Sequence, residues 1–577
     1  MRPGTSWDGR IGACPRVPSL GRAVGCDANQ SGNSVSTADT GVDTDVIVIG
    51  SGSAALSAAL RAAVGGLRVV ILEKSDKIGG TSAMSGAGTW IPANHRARDA
   101  GMADSVEEAI DYLRSASPPD WKSKEDPLWV AFATNAPRTL RFIEEHTPLC
   151  FVLTEEPDTF ADAPGGKTKG RMLSPKPLSK RVLGRYGKKL RGSTLPHLFT
   201  YQEVHEGNLY HRPIRAVLRF WHRLLWRYLT NSRAQGSALV TGLLKGCLDK
   251  GCRIETGSRV VELTTDAERS AITGVVVESP SGRRTYAARR GVVIASGGFE
   301  WNDAMREANF RGPLDFIGSP RTNEGDGQLL AAKAGAMLDR MDQANVYPTM
   351  PTRYEGKPHG IPLIFQSEPH AIVVDRHGKR FVSEYDFNIG EALDRRDPVT
   401  GDPIHLPAWV IADCRFLRRA LLFRWYARKS KGWIRRAETL EKLALMIGLS
   451  STELANTVER FNQFCSKGLD EDFHRGESPW EQFKSGSPDA ALAPIEKPPF
   501  YAMPFNRSIL GTKGGARTNE HGQVLRVDGS VIPGLYAAGL AMANPIGTRA
   551  VGPGTTIGPN LTWGFICGES LLKDNRA

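Results

Sequence analysis

Apolar and polar positions along this chain change period several times, and the first change is the sharpest. Val46 to Ile49 is an unbroken apolar run, the pattern of a strand buried on both faces of a parallel sheet. Ala54 to Ala63 is built from small residues and reads as a helix that Gly65-Gly66 ends. Arg68 to Leu72 is a second buried strand, closing on Glu73. Helical periodicity follows over SVEEAIDYL and WVAFATNAPRTLRFIEEH, where Ser105 and Glu108 have capping-box spacing. A further helix spans Ala234 to Asp249. Strands then follow in CRIETGSRVVEL, ITGVVVES and RTYAARRGVVIASGGF, the last two joined at Pro280-Ser281-Gly282.

From about residue 335 the pattern changes. PHAIVVD and GKRFVSE read as strands around a hairpin at Arg376-His377-Gly378, LPAWVIAD as another strand, and Thr439 to Cys465 as two helices. From about Tyr501 small-residue strands return. This predicts an α/β protein: a Rossmann-type nucleotide-binding domain over 44–334 and 501–577, with an inserted α+β cap over 335–500.

The turn after the first strand carries candidate chemistry. Gly50-x-Gly52-x-x-Ala55 is a dinucleotide fingerprint with alanine at the third position. Gly50 makes the turn, and Gly52 lets the backbone approach a pyrophosphate. The helix N-terminus around Ala54 offers N–H groups and a positive dipole end. Glu73 stands where an acid accepts from a ribose hydroxyl, with Lys74 beside it. Two small-residue patches follow, Gly79-Gly80-Thr81-Ser82 and Ser85-Gly86-Ala87-Gly88, suited to backbone passing close to a flat ligand.

Composition changes this picture little. A chain of 577 residues with 61 glycines fits an α/β enzyme of more than one domain. No apolar run is long enough for a transmembrane helix. The eight cysteines show no CxxC spacing, so no metal site is expected and a reducing, cytoplasmic compartment fits. Residues 1–43 are aperiodic and Gly/Ser/Thr-rich, and read as a disordered N-terminal extension rather than a signal peptide.

The net charge of +12 would attract nucleic acid or anionic lipid, and surface arginines alone would also produce it. Two stretches concentrate it, 212–233 and 415–436. In the first, Arg215, Arg219, Arg223 and Arg227 fall at helical spacing among Phe220, Trp221 and Trp226. Such helices lie in a membrane interface, or they pack on the protein while their arginines reach water. No nucleic-acid-reading fold accompanies the charge, so no nucleic-acid partner is expected.

VIGSGSAALSAAL, GGTSAMSGAGTWIPAN and the tail from Gly534 resemble flavoproteins of the fumarate reductase/succinate dehydrogenase superfamily. Trp90 to Asn94 and the APGG at 163–166 resemble its 3-ketosteroid Δ1-dehydrogenase branch. The resemblance implies FAD, held non-covalently because no histidine lies between 74 and 94. It places Val260, Ala295, Gly297, Gly539, Thr555 and Gly558 at the cofactor, and Asp326 at the active-site end of its domain. It implies removal of an α-proton and β-hydride from a small apolar cyclic ketone such as a steroid, hydride passing to flavin N5, with reoxidation by an unidentified electron acceptor.

The family's Tyr-x-Gly-x-Gly carbonyl clamp becomes Ala550-Val551-Gly552-Pro553-Gly554, keeping the Gly554 donor. Arg549 replaces the lost phenol or grips a substrate carboxylate; a surface or FAD-phosphate arginine is the plainer alternative. Thr159 and Phe160 stand where a tyrosine pair is expected. Tyr385, after Arg380 to Glu384, is the candidate base, with His370 in reserve. The alternatives are an enoate or fumarate-type reductase acting on a carboxylate, and a flavoprotein whose main role is docking to membrane or nucleic acid. Asn388 to Leu393 lacks the arginine proton donor of fumarate reductases.

Overall fold

The computed structural model describes residues 42–574, apart from 207, 208, 210, 211, 269, 364, 428–431 and 487. The expected N-terminal extension lies outside the described residues, except that Val42 and Asp43 extend the first strand, Val42–Ile49.

That strand is the centre of the main sheet. It pairs in parallel with Val69–Glu73 on one side and Gly282–Ile294 on the other. Arg253–Thr256 and Val531–Ala537 add parallel strands outside these. Val46, Ile47 and Val48 are wholly buried, because helices cover both faces of the sheet. The small residues of Ser53–Val64 serve packing as well as the turn. A Cβ on Gly564 of the closing helix, Ile557–Lys573, would sit 2.2 Å from the Ala54 carbonyl oxygen. The two helices therefore meet backbone to backbone.

The inserted region centres on an antiparallel sheet ordered Ala371–Val374, Trp409–Ala412, Phe500–Pro504, Arg435–Ala437. Both of its faces are buried. Ala371, Val373, Val410 and Met503 face one cluster with Ile389 and Phe416. Ile372, Val374 and Ile411 face Leu443, Leu454 and Phe461 of the two cap helices. Phe500–Pro504 belongs to this sheet, so the chain returns to the nucleotide domain a few residues beyond 500.

One expected strand does not form. GKRFVSE makes only an isolated bridge between Val374 and Arg380. Its polar side chains turn inward instead, into a buried ion network. Arg380 pairs with Glu384 at 2.9 Å and Asp470 at 2.8 Å, and Arg475 reaches Glu384 at 2.9 Å. Satisfying two buried carboxylates outweighs continuing a ladder.

Candidate active site

A cleft of about 700 Å³ runs along the C-terminal ends of the parallel strands. Gly50, at φ +106°, starts it, and a Cβ there would meet the Ala295 carbonyl oxygen at 2.4 Å. Gly52 caps the helix, whose first residues, Ser53 and Ala54, line the cleft. Ser51 donates to Glu73 Oε2 at 2.5 Å and accepts from the Gly79 N–H at 2.9 Å. Ser82 Oγ accepts from the Ser53 N–H at 3.0 Å, tying the first small-residue patch to the helix start. Burial raises Glu73 above the ordinary carboxyl range, against the Ser51 and Ser75 bonds that lower it.

Gly50, Gly52, Ala54, Glu73, Lys74, Gly80, Thr81, Ser82, Ser85, Gly86, Val260, Ala295, Gly297, Asp326 and Gly539 all line this cleft. Six expected cofactor residues do not. Ala55 is buried inside its helix, and Gly79 packs on Ala83 and Val240. Gly558 packs on the Trp90 carbonyl, which a Cβ would reach at 2.1 Å. Ala87, Gly88 and Thr555 line a different cavity. Asp326 also departs from expectation. It starts the helix Asp326–Lys333 beside Glu73, pairing with Lys74 at 2.9 Å and Arg259 at 2.7 Å. Those two cations hold it at the end of the cleft where Glu73 and Lys74 lie.

The second cavity, of about 230 Å³, adjoins the cleft. Both are lined by Ser85, Gly86, Asn345, Lys513, Thr556 and Ile557. Tyr347, Tyr201, Phe387, Ala550 and Gly554 also line the smaller one. Its floor is tightly fixed. Asn388 Oδ1 accepts from the Ala550 N–H at 2.8 Å while its Nδ2 donates to the Ala550 carbonyl at 3.0 Å. The Tyr112 hydroxyl donates to the Val551 carbonyl. Gly554 sits at φ +79°, and its N–H has no acceptor among the described residues. The N-terminus of Ile557–Lys573 follows directly and adds positive potential.

The polar groups around the smaller cavity are tuned by burial. Tyr347 is pushed above the ordinary phenol value by burial, against a bond from Gln366 Nε2 at 3.3 Å. Lys513 is almost wholly buried and is pushed down to about 8 by burial. Its Nζ donates to the carbonyls of Ile546 at 3.2 Å and Gly547 at 2.7 Å.

The two other expected catalytic residues line neither cavity. Tyr385 lies in the cap interior, with the Arg475 guanidinium 5.0 Å from its ring centre and its carbonyl accepting from Trp480. Arg549 stacks over Phe160 at 4.8 Å, with Glu391 3.9 Å away. His370 Nδ1 donates to the Pro494 carbonyl at 2.7 Å, away from both cavities. Sequence reading missed Tyr201, Asn345, Tyr347, Phe387, Asn388 and Lys513. Only Lys513 carried a local signal, a lone charge among the small and apolar residues of Ile509 to Ala516.

The cleft suits a nucleotide with a flat ring system. Ser296 Oγ and Asn560 Oδ1, both on its wall, are buried without a partner among the described residues. Such atoms are rare unless a ligand meets them. A family model described as FAD binding domain matches residues 45–557. The chain is 36% identical over 564 residues to a 3-oxosteroid 1-dehydrogenase of Mycobacterium tuberculosis, covering 90% of this chain and 97% of that one. It is 35% identical over 545 residues to a 4-oxocyclohexanecarboxylate 2-dehydrogenase of Sinomonas cyclohexanicum, covering 91% and 92%. The crystal structure of 3-ketosteroid Δ1-dehydrogenase from Sterolibacterium denitrificans in complex with 1,4-androstadiene-3,17-dione matches with a TM-score of 0.83 at 31% identity, covering 92% of this chain and 99% of that chain. The chain therefore belongs to the FAD-binding-domain family of flavoproteins, as a 3-ketosteroid Δ1-dehydrogenase-like oxidoreductase that uses FAD and acts on CH–CH groups.

Proposed function

We propose that this protein introduces a double bond α,β to the carbonyl of a ring ketone of the steroid class. FAD, when bound, supplies the hydride acceptor. The rest falls to the chain. The Gly554 N–H donates to the substrate carbonyl oxygen, and the adjoining helix N-terminus stabilises the negative charge that develops there. Polarisation acidifies the neighbouring C–H. Tyr347, as its phenolate, takes that proton and becomes the neutral phenol: it lines the same cavity, and the Gln366 bond favours the ionised oxygen against the burial that opposes it. Tyr347 replaces Tyr385 in this role because Tyr385 lines neither cavity. A volume of about 230 Å³ lies below the roughly 300 Å³ at which drug-sized ligand pockets begin, and so suits the reacting ring alone.

The observation that carries this reading is one cavity holding both an unpaired backbone donor and a half-buried phenol, against the wall of the cofactor cleft. Anaerobic mixing of the holoenzyme with androst-4-ene-3,17-dione tests it. Flavin absorbance is expected to bleach; no bleaching with any ketosteroid overturns the steroid assignment.

A second reading has its own observation. Arg549 adjoins the wall residue Ala550, and its Nε is buried without a partner among the described residues. A ring ketone bearing a carboxylate, as in the name of the Sinomonas relative, would supply that partner. Bleaching by 4-oxocyclohexanecarboxylate but not by the steroid would select it. Contact with a membrane through 212–233 and 415–436 also belongs to the proposal, supported by the exposure of large apolar side chains there.

A further inference from the structure

The helix Pro213–Leu229 has two apolar faces. Ala216 and Phe220 pack inward, and Phe220 meets Phe199 edge-on at 6.2 Å. Arg227 joins this inner face, bound to Glu203 at 2.6 Å. On the opposite side Ile214, Leu218, Trp221 and Leu225 repeat at the spacing of a single stripe, continued by Tyr228 and Leu229. This stripe is open: Leu218 is 67% exposed, Trp221 59% and Tyr228 73%. A soluble surface rarely leaves so many large apolar side chains in one row.

Arg215 and Arg219 run along one flank of the stripe, both exposed, while Arg223 turns to the inner side and pairs with Glu203 at 3.1 Å; the helix contains no acidic residue. Arg181, itself exposed, adds charge at its C-terminal end, where it donates to the Leu229 carbonyl at 3.0 Å. The second basic stretch lines the same cleft as the first. Trp425, 51% exposed, lines the large cleft together with Pro213 and Val217. Arg418, Arg419 and Arg424 are exposed on the same stretch, whose residues 428–431 lie outside the described residues. Two segments far apart in sequence thus frame one apolar rim of the cleft.

We infer that this rim is a bilayer-docking surface, with Pro213–Leu229 lying in the plane of an anionic membrane. Tryptophan and tyrosine settle at the headgroup level, leucines reach the acyl boundary, and the flanking arginines meet lipid phosphates. A second copy of this chain would bring arginine against arginine; an anionic lipid surface matches the stripe in both polarity and charge. Docking aims the rim at the hydrocarbon, so an apolar ketone enters the cleft from the bilayer rather than from water. This entry route rests on the substrate class proposed above; the docking surface does not.

The test is co-sedimentation of the holoenzyme with phosphatidylcholine vesicles that contain, or lack, about 30% phosphatidylserine. The bound fraction is expected to rise roughly tenfold with the anionic lipid and to fall when salt is raised from about 0.05 to about 0.5 M. The double variant Trp221→Glu/Leu225→Glu, changed only at exposed positions, is expected to lose binding while keeping its FAD content. Equal sedimentation of wild type and variant overturns the docking surface. So does a wild-type dimer in lipid-free buffer that the variant abolishes, which would assign the stripe to a second copy. For the entry route, androst-4-ene-3,17-dione is supplied dissolved or loaded in vesicles. The variant is expected to match wild type on dissolved steroid and to fall behind on vesicle-loaded steroid. Equal rates in both overturn the route. No turnover of steroid in either form overturns the proposed substrate and leaves the sedimentation result to judge docking alone.

Discussion

Replacing Gly554 with alanine separates the role of its N–H from the packing around it. The residue sits at φ +79°, where an L-residue costs roughly 1–2 kcal/mol. The new Cβ would stand 2.7 Å from the Trp90 nitrogen and 2.9 Å from the Gly88 carbonyl oxygen. Relieving both contacts moves Thr89–Trp90 or the Gly554 peptide, an overpacking cost of roughly 1–3 kcal/mol. The sum, roughly 2–5 kcal/mol, lies within the about 5–15 kcal/mol that folded proteins hold, so the variant folds with a lower melting temperature. Losing an aligned donor at a developing oxyanion costs about 10²–10³ in rate. Gly558→Ala is the control. Its Cβ would strike the same strand, 2.1 Å from the Trp90 carbonyl, yet the Gly558 N–H already donates to the Gly554 carbonyl at 3.0 Å. That variant is expected to lose comparable stability and to stay within about tenfold of the wild-type rate, well short of a lost oxyanion donor. The assays are denaturant melts of the holoenzyme and the rate of flavin bleaching at saturating ketone. A Gly554→Ala protein that bleaches at the wild-type rate refutes the donor, and so does an equal loss of rate in both variants.

Other outcomes test the remaining parts of the site. Tyr347→Phe is expected to slow bleaching by about 10²–10⁴ with FAD content unchanged, while Tyr385→Phe stays near wild type; the opposite pattern in stopped-flow traces returns the base to Tyr385. Glu73→Gln disturbs an acceptor that takes bonds from Ser51 and Ser75, and is expected to weaken FAD binding about tenfold by titration of the apoprotein, an unchanged affinity counting against the ribose role. In the cap, burial raises Glu384 but Arg380 and Arg475 outweigh it, holding the carboxyl below its ordinary value of 4.5. Its stabilising contribution is therefore complete above pH 4.5 and lost as the pH falls through the lower folded value. Glu384→Gln is expected to remove that acid-side slope and to cost roughly 3–5 kcal/mol at neutral pH in denaturant melts, and a wild-type stability that stays flat below pH 4.5 refutes the coupling.

The parts of the fold that sequence reading recovered are local. An apolar run, a two-glycine turn, a small-residue helix and a second run ending on Glu73 are specified by neighbours in the chain, and the structure builds each in that order. The unbroken apolar runs in PHAIVVD and LPAWVIAD likewise match a sheet with two buried faces. GKRFVSE, with Phe381-Val382 at its centre, makes no strand, because its charged positions find partners at Asp470 and Arg475, about ninety residues downstream. No window of sequence contains that competition.

The same distinction divides the site. The sequence alone determined that a dinucleotide lies at Gly50, Gly52 and Glu73, since such a turn works through consecutive backbone groups whose geometry local residues impose, and the resemblance of the following small-residue loop made that dinucleotide FAD. It also marked Gly554, through the likeness of Ala550 to Gly554 to the family's Tyr-x-Gly-x-Gly run. The second cavity was a matter for tertiary structure. Tyr201, Tyr347, Phe387 and Lys513 come from separate segments and share no period, and only the closing of the cap over the sheet brings them to one wall. Packing also decided which side of Pro213–Leu229 faces out. The arginines have one helical spacing in sequence, yet Glu203 draws Arg227 inward and leaves Leu218, Trp221 and Leu225 facing solvent. A buried ion pair formed across the fold, rather than the helix's own amphipathicity, set its orientation.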